Sequence, residues 1–110
     1  MRNDAETVSD IRDACLAIRE FTLGIDRHGF EVDKKTQSAV YYQFVKIGEA
    51  AKRLSQAGRG REPILKRAAG LRDVLVHRYD RIDRGIVWGT IERDVPLFEQ
   101  RLEYLLASGE

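Results

Sequence analysis

Apolar residues recur at steps of three and four positions through most of the chain, and this spacing restricts the fold more than any other feature. Such steps place side chains on one face of an α-helix, whereas a half-buried strand needs strict alternation, which no useful stretch shows. The first run consists of Val8, Ile11, Cys15, Ile18 and either Phe21 or Thr22. A second run follows at Val40, Phe44, Ile47, Ala51 and Leu54, and a last one at Val87, Ile91, Val95, Phe98, Leu102 and Leu105. The sequence therefore predicts an all-α protein, an antiparallel bundle of four to five helices.

Capping residues and helix breakers divide these runs into separate helices. We predict helices over 4–24, 34–57, 63–69, 71–79 and 84–107, with connections at 25–33 and 80–83. Gly24 suits the end of the first helix and Asp33 the start of the second. Gly70 is expected to end or bend the third helix, because glycine is a poor helix former. Pro96 removes one backbone hydrogen bond and predicts a kink in the last helix.

The length of the chain bounds its organisation. With 110 residues it is expected to form one domain, spanning 1–110. No apolar stretch approaches the length of a membrane span or of a signal-peptide core, so we expect a soluble, cytoplasmic protein with no membrane contact. Cys15 is the single cysteine, which excludes an internal disulfide, and its apolar neighbours predict a buried thiol.

The net charge of +1 conceals an uneven distribution. Residues 46–84 carry 11 lysines and arginines against 5 acidic residues, a balance of +6, and the other residues carry 8 against 13, a balance of −5. A basic block of this kind can attract a polyanion such as RNA or DNA to one region of a protein. The same residues could equally form an ordinary solvated helix surface, so charge by itself does not establish a nucleic-acid partner.

Metal and nucleotide sites find little support in the sequence. Two histidines and one cysteine are too few for a standard zinc site, and no phosphate-binding glycine motif occurs, so we expect no metal and no cofactor. His28 lies in a polar turn and is interpreted as a surface residue. The remaining candidate for chemistry is the segment LRDVLVHRYD at 71–80, which places arginine, histidine and tyrosine among apolar residues.

The spacing of the polar residues in this segment suggests a site. Asp73 and His77 are four residues apart, so the carboxylate can hydrogen-bond the imidazole and select its tautomer. Arg72 and His77 are five apart and point about 140° from each other, so they converge only through a bend, a long reach of the arginine or a second copy of the helix. A surface ion pair of Arg72 with Asp73 beside a half-buried histidine is the plainer interpretation.

Arginine and histidine together suit the cleavage of RNA without a metal. A histidine can take the proton of a ribose 2′-hydroxyl or protonate the departing 5′-oxygen, and a guanidinium stabilises the charge that develops on the phosphate. Efficient cleavage needs both a base and an acid, whereas one chain supplies one credible histidine, His77. A two-fold homodimer that brings His77 and Arg72 of both protomers into one cleft would complete the set.

Three segments together resemble one known family. IGEAAKRLS (47–55), AGLRDVLVHRYDRID (69–83) and IVWGTIERDVP (86–96), in this order and spacing, are similar to the HepT-like branch of the HEPN superfamily. These are small helical toxins encoded beside minimal nucleotidyltransferase (MNT) antitoxins. The family signature is an arginine, four residues, a histidine, one residue and a tyrosine, with a polar residue directly after the arginine. Its four places are filled by Arg72, Asp73, His77 and Tyr79.

The resemblance implies a metal-independent endoribonuclease toxin that acts as a homodimer and cleaves RNA in a shared cleft; whether such dimers assemble further is left open. Arg72 and His77 would be the catalytic pair and Asp73 the supporting polar group. Tyr79 would be the residue to which the MNT partner attaches AMP, because a bulky anion there would fill the cleft and occupy the guanidinium. Many relatives have asparagine in place of Asp73, and a carboxylate there could raise the pKa of His77 and repel RNA.

Basic residues around the motif are candidates for contacts with the RNA backbone. They are Lys52, Arg53, Arg59, Arg61, Lys66, Arg67 and Arg78. Tyr41 and Trp88 are instead expected to pack inside the bundle, since both lie in apolar helical runs.

Two other classes of function are compatible with the sequence. One is a non-catalytic interaction module that binds a nucleotidyltransferase partner. The other is a helix-turn-helix around Gly70 that reads duplex DNA, although Leu71, Val74 and Leu75 make the second helix apolar for a recognition helix. A preference for single-stranded RNA over duplex DNA would separate the nuclease from the DNA reader.

Overall fold

The structure is a computed structural model that describes residues 4–54 and 63–107. Its elements are α1 (Asp4–Thr22), α2 (Arg27–Val32), α3 (Lys34–Arg53), α4 (Pro63–His77), a 3₁₀ turn (Tyr79–Arg81), α5 (Arg84–Gly89), a π-helical turn (Thr90–Asp94) and α6 (Val95–Ala107). Because α5, the π turn and α6 follow each other without a break, they form one rod. The prediction of an all-α bundle of four to five helices is confirmed. No helix within the described ranges is both long and apolar enough to cross a membrane.

The core lies between α3 and its neighbours. α3 packs against α1 and against α4, and α1 also packs against α6. The buried apolar side chains include Ile11, Ile18, Val40, Phe44, Ile47, Val87, Val95 and Leu102, all at predicted positions. Thr22 rather than Phe21 completes the first run, since Thr22 is buried and Phe21 is 41% exposed. Cys15 is fully buried as predicted, and its burial raises the pKa of the thiol to about 12.

Helix ends follow the capping residues. Gly24 has a positive φ of 78° just after α1, a conformation that glycine adopts without strain. Asp33 accepts hydrogen bonds from the backbone N–H of Thr36 at 3.1 Å and from its hydroxyl at 2.6 Å, so the predicted cap of α3 is confirmed. The prediction of a plain connection at 25–33 is wrong. Asp26 caps the short α2 by accepting from the Gly29 N–H at 2.8 Å.

Two predicted helix boundaries are also wrong. α3 ends at Arg53 instead of residue 57, because Leu54 already has extended backbone; residues 55–57 lie outside the described ranges. α4 runs through Gly70 without ending there. A glycine inside a helix costs only about 1 kcal/mol relative to alanine, which packing of the helix against α3 can offset. Positions 63–77 therefore form one helix.

In the last rod, α-helical hydrogen bonding changes to a π turn directly before Pro96, where the sequence predicts a kink. The π turn ends directly before α6, and the Val95 N–H donates to the carbonyl of Thr90, five residues earlier. Proline cannot donate to the carbonyl four residues before it and its ring crowds that carbonyl. The π turn, whose hydrogen bonds join residues five apart, keeps the backbone hydrogen-bonded next to the proline.

Candidate active site

α4 carries the predicted motif, and a glycine of α3 determines how close the two helices lie. A Cβ added to Gly48 would overlap the Cβ of Arg72 and would lie 2.9 Å from the carbonyl oxygen of Ala68. These distances are below what real Cβ atoms tolerate, so only glycine permits this approach. Gly48 therefore places the backbone of Arg72 directly against α3.

The guanidinium of Arg72 is held between two carboxylates. Its Nη2 contacts Oε1 of Glu49 on α3, and its Nη1 donates to Oδ1 of Asp73 at 3.1 Å. The side chain of Arg72 is only 19% exposed. The hydrogen bond to Asp73, followed by the interaction with Glu49, raises the pKa of Arg72, so the guanidinium stays charged. The arginine is thus fixed in position before any substrate arrives.

Asp73 faces α3 and not the histidine. Its Oδ1 accepts from Nζ of Lys52 at 2.7 Å in addition to the bond from Arg72. Among the described side chains no hydrogen bond joins Asp73 to His77, so the predicted contact that would select the imidazole tautomer is not made. Lys52 and then Arg72 lower the pKa of Asp73. Four side chains therefore form a network of alternating negative and positive charge: Glu49, Arg72, Asp73 and Lys52. We call it the Arg72 network.

His77 is the last residue of α4 and its side chain is exposed. No hydrogen bond or ion pair within the described part of the chain joins it to Arg72. This separation agrees with the angle of about 140° between residues five apart on a helix. Arg72 turns towards α3 while His77 faces solvent. The described chain therefore does not bring the two groups together.

Tyr79 follows α4 in the 3₁₀ turn and is 59% exposed. Its ring stands edge-on to that of Tyr41, with centroids 5.9 Å apart. Tyr41 is buried, and burial raises the pKa of its phenol. Tyr41 also packs edge-on against Phe30, which stacks on the buried Trp88 at 5.6 Å. The predictions that Tyr41 and Trp88 pack inside the bundle are confirmed.

The outer surface of α4 is more apolar than expected of a solvated helix. Leu75 is buried and Leu71 is partly buried, but Val74 is 36% exposed and Val76 is 45% exposed. The apolar pattern of this segment predicts that its leucines and valines all pack into the core, and this prediction is wrong for the two valines. Within the described residues α4 packs mainly against α3 and the 3₁₀ turn, and the two valines remain exposed.

The predicted RNA-backbone residues divide into those that the structure describes and those outside it. Lys52, Arg53, Lys66 and Arg78 are exposed. Arg67 lies on α4, but its side chain is outside the described residues, as are Arg59 and Arg61. Lys52 is paired with Asp73, whereas Lys66 shares one helix face with Asp73 and His77 through steps of seven and four residues. His28 is exposed, as interpreted from the sequence.

Two residues of this site were not assigned a role from the sequence. Glu49 contributes the second carboxylate on Arg72, and Gly48 allows the close approach of the helices. One signal was present, because a glycine inside a strongly apolar helical run indicates close backbone packing. The partner across that contact was not deducible from the spacing.

Comparisons with known proteins show the family to which the chain belongs. The model of the ribonuclease HepT-like family matches residues 11–105. The chain belongs to the ribonuclease HepT-like family. It is 34% identical over 106 residues to a protein of Thermococcus cleftensis named "Probable ribonuclease HepT", covering 94% of this chain and 96% of the relative.

Two further HepT-like relatives carry names of the same kind. A protein of Methanocaldococcus jannaschii named as an RNase is 32% identical over 96 residues, covering 86% of this chain and 88% of the relative. One of Caldanaerobacter subterraneus, also named as an RNase, is 29% identical over 108 residues and covers 96% of each chain. No solved structure matches the chain at a comparable level. Membership of the HepT-like family supports an RNase-type enzyme.

Proposed function

We propose that this HepT-like protein is a metal-independent endoribonuclease toxin that cleaves RNA with Arg72 and His77 and works as a homodimer. We also propose that an MNT antitoxin neutralises it by attaching AMP to Tyr79. The observation that best supports the ribonuclease is the Arg72 network, which holds a charged guanidinium on the same helix as an exposed histidine, in a chain of a ribonuclease family. A surface ion pair alone would not need a glycine at position 48 to bring its arginine against a neighbouring helix.

The chemistry is an internal transesterification. The imidazole of His77 takes the proton of a ribose 2′-hydroxyl, and the 2′-oxygen attacks the adjacent phosphorus. The bond from phosphorus to the 5′-oxygen breaks, and a protonated imidazole gives that oxygen its proton. The products are a 2′,3′-cyclic phosphate and a free 5′-hydroxyl. Arg72 stabilises the additional negative charge on the phosphate oxygens.

The need for an acid and a base favours a homodimer. His77 can serve as one of these groups at a time, and it does not reach Arg72 within the described protomer. Val74, three residues before His77 on α4, is an exposed apolar side chain next to the histidine that a second copy of the helix can cover. A two-fold axis near this side chain would bring two copies of His77 and Arg72 to one scissile phosphate.

The test of catalysis is His77→Ala, with His28→Ala as the matched control because both histidines are exposed. We expect His77→Ala to keep its helical content and melting temperature and to lose at least about 1000-fold in the rate of RNA cleavage. His28→Ala should cut like the parent. The parent should be unaffected by EDTA and leave 2′,3′-cyclic phosphate ends. If His77→Ala cuts as fast as the parent, His77 has no part in the mechanism. If the parent itself does not cut RNA, the protein is better described as an interaction module.

Regulation at Tyr79 is supported by its exposure and surroundings. The phenol lies in a turn between the exposed Arg78 and Arg81, whose charges can bind a phosphodiester. Incubation with an MNT partner and ATP, followed by mass spectrometry of peptides, should find AMP on Tyr79. Tyr42 and Tyr104 are controls within the same chain, since they are 62% and 63% exposed. An adduct confined to either of them would exclude Tyr79 as the regulatory residue.

A further inference from the structure

We propose that the groove between α1 and α3, together with the exposed ring of Tyr42, binds the single-stranded RNA that flanks the scissile phosphate. This inference rests on the proposed ribonuclease function and adds the substrate-binding surface to it. The groove has a volume of about 360 Å³. It is lined by Asp10, Asp13, Val45, Lys46, Glu49, Ala50 and Arg53.

The groove adjoins the Arg72 network through one shared residue. Glu49 lines the groove and also contacts Nη2 of Arg72. A strand lying in the groove therefore passes within one side chain of the proposed phosphate-stabilising guanidinium. Neither His77 nor Tyr79 lines this groove, so it is a surface distinct from the end of α4.

The two walls of the groove differ in charge. α3 contributes Lys46 and Arg53, which suit phosphate oxygens, and also Glu49, whose carboxylate contacts Arg72. α1 contributes Asp10 and Asp13, and Asp13 contacts the guanidinium of Arg12 at 3.4 Å. Carboxylates only accept hydrogen bonds, so the acidic wall suits nucleobases with amino groups, which adenine, cytosine and guanine have and uracil lacks. We infer that the RNA backbone follows α3 while its bases turn towards α1.

Tyr42 extends this surface along α3. Positions 42, 46, 49 and 53 follow each other at steps of four, three and four, which places them on one helix face. Tyr42 is 62% exposed, and Nζ of Lys46 lies 5.6 Å from the centroid of its ring. An exposed aromatic ring beside cations is the usual platform for an unpaired base. Seven residues from Tyr42 to Glu49 span about 10 Å, enough for about three stacked nucleotides.

A protein partner fits this groove less well than RNA does. Apolar side chains are sparse here, whereas a separate groove of about 220 Å³ lies over Phe44, Leu71 and Val95 and is almost wholly apolar. Protein interfaces concentrate such apolar surface at their centre, whereas an exposed tyrosine beside cations is typical of contacts with single-stranded nucleic acid.

The experiment measures the affinity of the full-length protein for fluorescein-labelled 2′-O-methyl RNA of 12 nucleotides by anisotropy. This probe has no free 2′-hydroxyl, so binding is measured without cleavage. Tyr42→Ala should lower affinity about 5- to 100-fold and Tyr42→Phe should not, because one stacked base is lost only in the first. Tyr104→Ala is the matched control: Tyr104 is 63% exposed and has Arg101 over its ring at 5.1 Å, but lies on α6 outside the groove.

Two further variants test the walls. Lys46→Ala should reduce the slope of log affinity against log salt by about 0.7, the value for one phosphate contact with a single strand, and Lys34→Ala at the other end of α3 should not. The double variant Asp10→Ala, Asp13→Ala should remove a several-fold preference for adenosine- over uridine-containing probes, because it removes the accepting oxygens. If Tyr42→Ala or Lys46→Ala binds RNA like the wild type and cleavage is intact, the proposed RNA-binding groove is wrong and the ribonuclease proposal is unaffected. If the variants change binding as expected but the protein never cuts RNA, the ribonuclease proposal is wrong and the binding groove stands.

Discussion

Arg72 and His77 lie five residues apart on one helix, but their surroundings are opposite. The side chain of Arg72 is 19% exposed, held by two carboxylates and placed against α3 by Gly48. His77 is exposed at the end of α4 and has no described partner. Of the two groups in the proposed site, the described chain thus fixes Arg72 and leaves His77 facing solvent.

This contrast has a physical basis. A guanidinium that stabilises developing charge must be fixed in advance, because reorganising it during the reaction would cost free energy. A histidine that exchanges protons with substrate needs access to it. Under the proposed function, the exposed surface around His77 and Val74 is where a second copy of the chain and the RNA would meet.

Among substitutions that disturb the fixed position of Arg72, the largest effect is expected at Gly48. Gly48→Ala gains up to about 1 kcal/mol of helix propensity, but the clash with Arg72 and the Ala68 carbonyl costs about 1–3 kcal/mol or more, so the variant should be less stable. Displacing Arg72 by about 1 Å should slow cleavage about 100-fold. Thermal unfolding and cleavage rates measure both effects.

Gly70→Ala is the matched control for this substitution. Gly70 lies inside α4, and a Cβ added there meets nothing within 4 Å. The change should raise the free energy of unfolding by about 0.5–1 kcal/mol and leave cleavage unchanged. Equal effects of the two substitutions would contradict the close helix approach at Gly48.

A smaller effect is expected from loosening Arg72 without moving the backbone. Glu49→Gln keeps the shape of the side chain and removes its charge, so the guanidinium is held less firmly. We expect kcat to fall about tenfold with little change in KM, because Glu49 acts through Arg72. Glu31→Gln is the control, since Glu31 forms an equivalent surface pair with Arg27 at 3.2 Å. A faster Glu49→Gln enzyme would instead mean that Glu49 masks Arg72.

The smallest effect concerns acid stability. The pKa of Asp73 is lowered by Lys52 and Arg72, so its stabilising contribution is present above the unfolded pKa of about 4 and is lost as pH falls through the folded value. Asp73→Asn should therefore lower the melting temperature slightly at pH 7, where the contribution is present, and flatten its decline below about pH 4. An unchanged acid decline would show that the ion pairs of Asp73 contribute nothing to stability.

Much of the fold was predictable because helical periodicity and capping are local. The runs around Val40 and Val87, the cap at Asp33 and the interruption beside Pro96 all lie where the sequence predicted them. The errors arose where packing overrides a local preference. α4 continues through Gly70, since its contacts with α3 outweigh the cost of one glycine.

The candidate site was predictable in its residue types but not in its contacts. The spacing of Asp73 and His77 allowed a hydrogen bond between them, and a lysine from another helix takes that carboxylate instead. Lys52 is 21 residues away along the chain, so no local pattern could indicate the competition.

The sequence by itself determined where most of the helices form and which polar residue types α4 carries, because helical periodicity and spacing depend on neighbours within a few positions. Only the tertiary structure decided that Arg72 is held by Glu49, that Asp73 turns to Lys52 and that His77 is left facing solvent. The physical reason is the contact of α3 with α4, which Gly48 permits and which brings charges distant in the chain within hydrogen-bonding distance.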